Sequence, residues 1–218
     1  MRVIAIDGPA GSGKSTVARL VAERLGLDYL DTGAMYRAVA FAALNRGVDP
    51  DDQEAVADLA PKLVIDVGPD GVFVDRVDAT IEIRGPEVTR AVSTVAANPA
   101  VRVELGERQR AWAAEHGGGV VEGRDIGTVV FPDAEAKVYL TAHAQVRADR
   151  RAQEVTDLDY ETVAADLARR DALDEGRDLS PLSVAPDAMV VDTTGRSVDD
   201  VVAAVLEHLD GHAGGAGG

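Results

Sequence analysis

The residues from Gly8 to Ser15 carry the clearest chemical signal in the sequence. They read GPAGSGKS, which fits every fixed position of the phosphate-binding loop pattern G-x-x-x-x-G-K-[ST], and they directly follow the apolar stretch 3–7. Glycines let the backbone turn tightly enough to aim successive N–H groups at a phosphate, and the following helix adds its positive N-terminal end. Lys14 can then reach the outer phosphates while the Ser15 hydroxyl holds Mg²⁺. The sequence therefore predicts that the chain binds a nucleoside triphosphate.

Hydrophobic periodicity predicts that this loop connects a strand to a helix in an α/β fold. Residues 14–25 repeat apolar side chains at helical spacing, and Gly26 follows where a C-terminal cap belongs. Alternation of strands and helices is typical of a parallel sheet covered by helices. The predicted strands are 3–7, 27–30, 120–122, 136–140 and 188–191. The further predicted helices are 31–47, 51–59, 99–116, 143–154, 159–170 and one that begins at Ser197.

A change of periodicity after residue 59 predicts a small β insertion. Apolar residues at 63–67 and 72–74 flank the turn Pro69-Asp70-Gly71, which is typical of a β-hairpin. Residues 81–83 are predicted as a third strand. We expect this small sheet to be inserted within the α/β protein.

The overall composition limits the classes of protein to which the chain can belong. A formal net charge of -16 would repel nucleic acid over most of the surface. No apolar run approaches the roughly 18 residues that a membrane span requires. The absence of cysteine excludes a disulfide framework and fits a reducing compartment. We therefore expect a cytoplasmic enzyme without nucleic-acid or membrane partners, with a disordered Gly/Ala-rich tail at 211–218.

Arginine-bearing motifs farther along the chain narrow this interpretation. The pair Arg124-Asp125 follows the predicted strand at 120–122, and ligands in open α/β sheets bind at the carboxyl ends of strands. Five motifs stand out together: GPAGSGKS at 8–15, DTGAMYR at 31–37, STVAANPAVR at 93–102, GRDIGTVVFP at 123–132 and RRDALDEGRDLSPL at 169–182. Through these motifs the chain resembles the cytidylate kinase family, the nucleoside monophosphate kinases of the bacterial type, over nearly its whole length.

The resemblance implies a fold and a division of the chain. It implies a three-layer α/β P-loop kinase fold with a central parallel sheet, an inserted monophosphate-binding region containing a small antiparallel sheet, and a short lid. The implied parts are a core at 1–31, 93–169 and 183–210, a monophosphate-binding region at 32–92 with its β insertion at 63–84, and a lid at 170–182. The implied reaction transfers the terminal phosphoryl group of ATP to CMP or dCMP with Mg²⁺, and we expect a monomer.

The resemblance also implies roles for individual residues. The implied catalytic residues are Lys14, Arg124, Arg170 and Arg177. The implied ATP-binding residues are Gly8, Pro9, Ala10, Gly11, Ser12, Gly13, Lys14, Ser15, Thr16 and Arg150, with Arg150 against the adenine. The implied CMP-binding residues are Thr32, Tyr36, Arg37, Ser93, Arg102, Arg124, Asp125, Arg170, Asp174 and Arg177. Of these, Ser93, Arg102 and Asp125 match positions that read the cytosine edge, and Thr32 is predicted to cap a helix. Ser15 would hold Mg²⁺, with Glu122 contributing through water.

Two alternatives share the phosphate loop. A kinase of another small acceptor, such as UMP, AMP or shikimate, would carry the same loop, but the motifs at 93–102 and 123–132 and the β insertion argue against it. A switch protein that binds GTP should carry an Asn-Lys-x-Asp motif for base recognition, and the sequence contains none. The chain departs from the family pattern at Glu122, where Asp is frequent, and at Ala172 and Leu173, where some members have a basic residue.

Overall fold

The part of the chain that the structure describes forms two compact units. The computed structural model describes residues 1–154, 159–177 and 179–213. Unit 1 comprises residues 1–29 and the chain from 116 onward, and unit 2 comprises residues 30–115. The sequence predicts a shorter monophosphate-binding region, 32–92. Residues 93–115 fall within unit 2, where the helix at 99–115 packs against the other helices.

Strands and helices alternate one by one from Arg2 to Asn45 and come mostly in groups farther along the chain. In chain order the described strands are β1 (Arg2–Asp7), β2 (Tyr29–Asp31), β3 (Ile65–Gly68), β4 (Gly71–Val74), β5 (Val77–Asp78), β6 (Gly118–Gly123), β7 (Ala136–Thr141) and β8 (Met189–Asp192). The described helices are α1 (Lys14–Leu25), α2 (Thr32–Asn45), α3 (Gln53–Leu59), α4 (Pro86–Ala97), α5 (Pro99–Glu115), α6 (Ala144–Glu154), α7 (Tyr160–Glu175) and α8 (Val198–Ala213). No helix within the described ranges is both long and apolar enough to cross a membrane.

A parallel sheet with the strand order β2-β6-β1-β7-β8 confirms the predicted fold class. The central strand β1 pairs in parallel with β6 and with β7, so that Ala5 lies opposite both Val121 and Lys137. Its side chains are buried from Val3 to Asp7, as expected for a strand covered on both faces. This arrangement brings the carboxyl ends of β1, β6 and β7 to one edge of the sheet, where the phosphate loop begins.

The main core of unit 1 joins two helices to the central strands. Val21 of α1 and Val205 of α8 pack in one cluster with Ile4, Val138 and Leu140 of the sheet. The helix that the sequence predicts at 14–25 is confirmed at both ends, and Gly26 terminates it with a left-handed φ of 63°. Helix α8 continues to Ala213, three residues into the tail predicted from 211. Residues 214–218 lie outside the described residues.

Unit 2 combines four helices with the predicted antiparallel sheet, but two local predictions differ from the structure. The third strand is Val77–Asp78, and residues 82–84 form a 3₁₀ turn instead of the predicted strand. Asp75 and Arg76 both adopt positive φ values, 51° and 69°, so the chain reverses within two residues and pairs earlier than the apolar pattern indicates. Helix α4 was not predicted, although a proline at its first position and the buried spacing Val88, Ala91, Val92, Val95 are typical helix signals.

Candidate active site

The phosphate loop in unit 1 has the backbone geometry that its glycines predict. Gly8, Gly11 and Gly13 adopt φ values of 147°, 73° and 90°, which side-chain-bearing residues rarely adopt. A Cβ at Gly8 would lie only 2.0 Å from the carbonyl oxygen of Leu140, so no larger residue fits there. The Ser12 hydroxyl is fully buried and has no hydrogen-bond partner among the described residues. The loop thus combines an exact backbone path with an unsatisfied buried donor.

Lys14 lies at the start of α1 and turns back onto the loop. Its Nζ donates to the carbonyl oxygen of Pro9 at 2.8 Å, and the side chain is buried. Burial lowers the pKa of Lys14 well below its usual value, and the nearby Arg124 charge lowers it further, while Glu122, Asp7 and Asp174 oppose the shift. A phosphate bound beside Lys14 would place a negative charge next to an ammonium group that is largely shielded from solvent.

Arg124 connects the phosphate loop with the end of helix α7. It directly follows the buried strand β6. Its Nη1 donates to the carbonyl oxygen of Gly8 at 2.9 Å, and its Nε donates to Asp174 Oδ2 at 2.8 Å. Arg177 donates to the other oxygen of Asp174. Burial would raise the pKa of Asp174, but the charges of Arg124 and Arg177 outweigh burial and hold it below its usual range. One carboxylate therefore pairs with two guanidinium groups beside the loop, and one positive charge is left over.

Arg170 adds a third guanidinium group to this cluster. It lies on α7, and its Nε is buried without a hydrogen-bond partner among the described residues. Burial lowers the pKa of Arg170 to about 10, and repulsion from Arg124 contributes to the shift. Excess positive charge with unused donors is the electrostatic setting that binds phosphate groups.

Asp7 fixes the loop that carries Arg124 and Asp125. Its two carboxylate oxygens accept the backbone N–H groups of Ile126 at 2.9 Å and Gly127 at 2.7 Å. Burial raises the pKa of Asp7 to about 6, although both amide donors act in the opposite direction. The loop continues into a π-helical turn at 126–130, a rare form that is frequent at functional sites. No role for Asp7 was predicted, although a carboxylate at the end of an otherwise apolar strand is a signal that the sequence contains.

Glu122 is buried near the end of β6, and a tyrosine orients it. The Tyr29 hydroxyl donates to Glu122 Oε1, and the Arg19 guanidinium lies 5.4 Å from the centre of the Tyr29 ring. Ser15, the implied Mg²⁺ ligand, has an exposed side chain at the start of α1. A hydroxyl and a carboxylate are oxygen donors of the kind that Mg²⁺ prefers, so these residues fit the implied ion.

Arg150 lies on α6 and binds two backbone segments. Its Nη1 donates to Thr193 Oγ1 and its Nη2 to the Thr193 carbonyl oxygen, both at 2.9 Å. The neighbouring Arg147 donates to Asp171 Oδ2 of α7 at 2.6 Å. Neither Thr193 nor Asp171 was assigned a role from the sequence, because both contacts join segments that are distant along the chain.

Two arginines of unit 2 that are predicted to bind CMP contact backbone carbonyl oxygens, a threonine hydroxyl and an aromatic ring. Arg37 Nη1 donates to the Ile83 carbonyl oxygen at 3.0 Å and to Thr89 Oγ1 at 2.9 Å. Arg102 Nη1 donates to the carbonyl oxygen of Ala96 at 3.0 Å, and its guanidinium carbon lies 5.4 Å from the centre of the Tyr36 ring. Ser93 is buried on α4.

The start of α2 corrects one prediction. Asp31, not Thr32, is the N-cap residue, because its carboxylate accepts the Ala34 N–H at 3.0 Å. Thr32 is the first helical residue and is buried. An ionised carboxylate accepts more strongly than a hydroxyl and takes the cap when both stand at the helix start.

The predicted site residues divide between the two units. Unit 1 brings together the phosphate loop, the carboxylates of the site and the basic residues Lys14, Arg124, Arg150, Arg170 and Arg177. Unit 2 carries Thr32, Tyr36, Arg37, Ser93 and Arg102.

Comparison with known proteins identifies the family. A sequence profile described as cytidylate kinase matches residues 4–210. The chain is 52% identical over 216 residues to the cytidylate kinase of Mycolicibacterium paratuberculosis, covering 95% of this chain and 92% of that relative. It is 50% identical over 212 residues to the cytidylate kinase of Rhodococcus opacus, covering 94% and 93%. A crystal structure of an uncharacterized protein from Eubacterium ventriosum is similar in fold, with a TM-score of 0.53 at 13% identity over 96% of this chain and 99% of that one. The chain belongs to the cytidylate kinase family.

Proposed function

We propose that the protein transfers the terminal phosphoryl group of ATP to CMP or dCMP, giving ADP and CDP or dCDP. The observation that carries this proposal is the cluster of Arg124, Arg170 and Arg177 around Asp174, which Arg124 joins directly to the phosphate loop. Two anionic nucleotides must be brought together in this reaction, and such a cluster supplies the positive charge. Membership of the cytidylate kinase family supports CMP as the acceptor.

Charge neutralisation and alignment account for the proposed catalysis. Phosphoryl transfer requires little covalent chemistry from the protein, because its transition state spreads negative charge over the transferred group. Lys14 and Arg124 both contact the loop, and Lys14 is proposed to bind the outer phosphates of ATP. Arg170 and Arg177 are proposed to hold the charge that develops between donor and acceptor. Phosphate oxygens would share the guanidinium groups that pair with Asp174.

Acceptor recognition is proposed to depend on Asp125 together with Ser93 and Arg102. A carboxylate can accept a hydrogen bond from the exocyclic amino group of cytosine, which uracil lacks. Asp125 is buried, and the Asp7 carboxylate fixes the backbone of the next two residues, so its position is defined before the ligand binds. Arg37 and Arg124 are proposed to bind the monophosphate, with Thr32, Tyr36 and Asp174 around the nucleoside.

Mg²⁺ is proposed as the metal that accompanies ATP. Ser15 would hold the ion directly, and Glu122, oriented by Tyr29, would contact its water shell. When bound, the ion would neutralise charge on the outer phosphates and help align them. We further propose that the enzyme acts in the cytoplasm, because its proposed substrates are small soluble nucleotides, and that it is a monomer.

A substrate panel tests the proposal directly. With ATP and Mg²⁺, ADP formation should be fastest with CMP or dCMP, and it should be slower with UMP, AMP, GMP and shikimate. Lys14→Ala is the control. It removes the positive charge that acts on the transferred phosphate and does not remove a packing group, so it should lower turnover by about 10²-fold or more. Preference for another acceptor would contradict the proposal, as would near-normal turnover of Lys14→Ala.

A further inference from the structure

Five consecutive carbonyl oxygens of the phosphate loop each accept a hydrogen bond from a side chain. The pairs, donor first, are Arg124 with Gly8 at 2.9 Å, Lys14 with Pro9 at 2.8 Å, Arg147 with Ala10 at 3.2 Å, Arg150 with Gly11 at 3.4 Å and Thr193 with Ser12 at 3.1 Å. Family resemblance assigns ligand-binding roles to Lys14, Arg124 and Arg150. It assigns none to Arg147 and Thr193, whose donors contact other parts of the protein.

Holding these carbonyl oxygens constrains the N–H groups of the loop. In a trans peptide the N–H of one residue points opposite to the C=O of the residue before it. Side chains that fix the carbonyls of Ala10, Gly11 and Ser12 therefore also fix the direction of the N–H groups of Gly11, Ser12 and Gly13. Glycine permits either sign of φ, so a glycine-rich loop without such contacts can rotate a peptide and turn a carbonyl toward the phosphate.

We infer that Thr193 and Arg147 are positioning residues for the donor phosphates, because they hold the loop carbonyls that determine where its N–H groups point. The inference deepens the proposed function and rests on it, since it concerns the same ATP site. Neither residue is required to touch the nucleotide.

Thr193 is well placed for this role. It directly follows β8, is buried, and its N–H donates to the carbonyl oxygen of Thr141 on β7 at 2.8 Å. Its hydroxyl donates to Ser12 and accepts from Arg150, so one oxygen links the loop to α6. An anchored backbone leaves this hydroxyl little freedom, and a fixed donor holds a carbonyl better than a mobile one.

Arg147 connects the loop to helix α7. Its Nε donates to the Ala142 carbonyl oxygen at 3.1 Å, and its Nη1 donates to Ala10 and to Asp171. A Cβ placed on Gly11 would lie 2.8 Å from the Arg147 carbonyl oxygen, so helix and loop are in close contact. Lysine cannot reproduce these simultaneous contacts, because it lacks the planar guanidinium group.

Inorganic tripolyphosphate separates the role of the loop from contacts to the base. We would measure its dissociation constant by calorimetry for the wild-type protein, Thr193→Val and Thr193→Ser, together with the KM values for ATP and CMP. Valine keeps the shape and loses the hydroxyl, whereas serine keeps the hydroxyl. A single neutral hydrogen bond is worth about 1 kcal/mol, so Thr193→Val should weaken tripolyphosphate binding and raise the KM for ATP by about 5-fold. Thr193→Ser should restore both, and the KM for CMP should not change.

A second variant tests the arginine. Arg147→Lys should also weaken tripolyphosphate binding, while Arg169→Lys serves as the matched control. Arg169 is half-exposed, and its described ion pair is with Asp166 at 3.6 Å.

Three results would overturn the inference. They are unchanged tripolyphosphate affinity in folded Thr193→Val, equal losses in the valine and serine variants, and a raised KM for ATP with unchanged tripolyphosphate affinity. The last result would place the effect at the base, through Arg150. If the wild-type protein bound tripolyphosphate but phosphorylated no nucleoside monophosphate, the proposed function would fail while the comparison of variants would still test this inference.

Discussion

Asp7 should lower the stability of the folded protein at neutral pH, and replacing it with asparagine should reveal by how much. Its pKa is raised by burial from 3.8 to about 6, so between these values the native state binds a proton that the unfolded state has lost. The free energy of unfolding therefore falls as the pH rises through this range, because the unfolded chain binds fewer protons than the native protein. One unit of pKa corresponds to about 1.36 kcal/mol, so the shift of Asp7 lowers the free energy of unfolding at neutral pH by about 3 kcal/mol.

Asparagine resembles the protonated acid, since each has one carbonyl oxygen to accept from Ile126 or Gly127. We therefore expect the free energy of unfolding of Asp7→Asn to lie about 1 kcal/mol below that of the wild type at pH below 4, because its amide group makes a poorer contact. Relative to the wild type it should then rise by about 3 kcal/mol as the pH passes 6. Urea unfolding of both proteins across this range provides the assay. The Asp7 carboxylate also raises the pKa of Lys14, which lies at about 7, so the change in the difference between pH 4 and pH 6 is the part that reports Asp7. A difference that does not change with pH would refute the reasoning.

Three further predictions concern the proposed site. Asp125→Ala should narrow the preference for CMP over UMP by up to about 10²-fold, because a charge-assisted hydrogen bond is worth about 1.5–3 kcal/mol; unchanged kcat/KM ratios would mean that this carboxylate does not read the base. Asp174→Asn should lower the free energy of unfolding by about 3 kcal/mol, since two buried guanidinium groups lose their counter-charge. Urea titrations should show nucleotide reducing that loss, and equal losses with and without nucleotide would contradict the idea that phosphates share these arginines. Hydrogen exchange at 170–180 should slow when a bisubstrate analogue binds, and equal exchange with and without the analogue would mean that this segment is no lid.

Local features of this protein were predictable from its sequence. Helix α1 begins at Lys14 and ends at Leu25 as predicted, because apolar spacing and a terminal glycine act within a few residues. The conformation of the phosphate loop was predictable from its own glycines. Apolar strands that alternate with helices were sufficient to predict a parallel sheet. The prediction of the third strand of the small sheet was wrong because Asp75 and Arg76 adopt positive φ values, which the apolar pattern does not indicate.

Contacts between distant segments were decided by tertiary structure alone. Asp7 meets the Ile126 amide across 119 residues, and Thr193 meets the loop at Ser12 across 181 residues. Both contacts depend on the sheet placing the carboxyl ends of its strands at one edge, and no period of 2 or 3.6 residues encodes the order of strands. The sequence therefore determined which chemical groups the protein has for binding phosphate, while the strand order determined which side chains hold those groups in place.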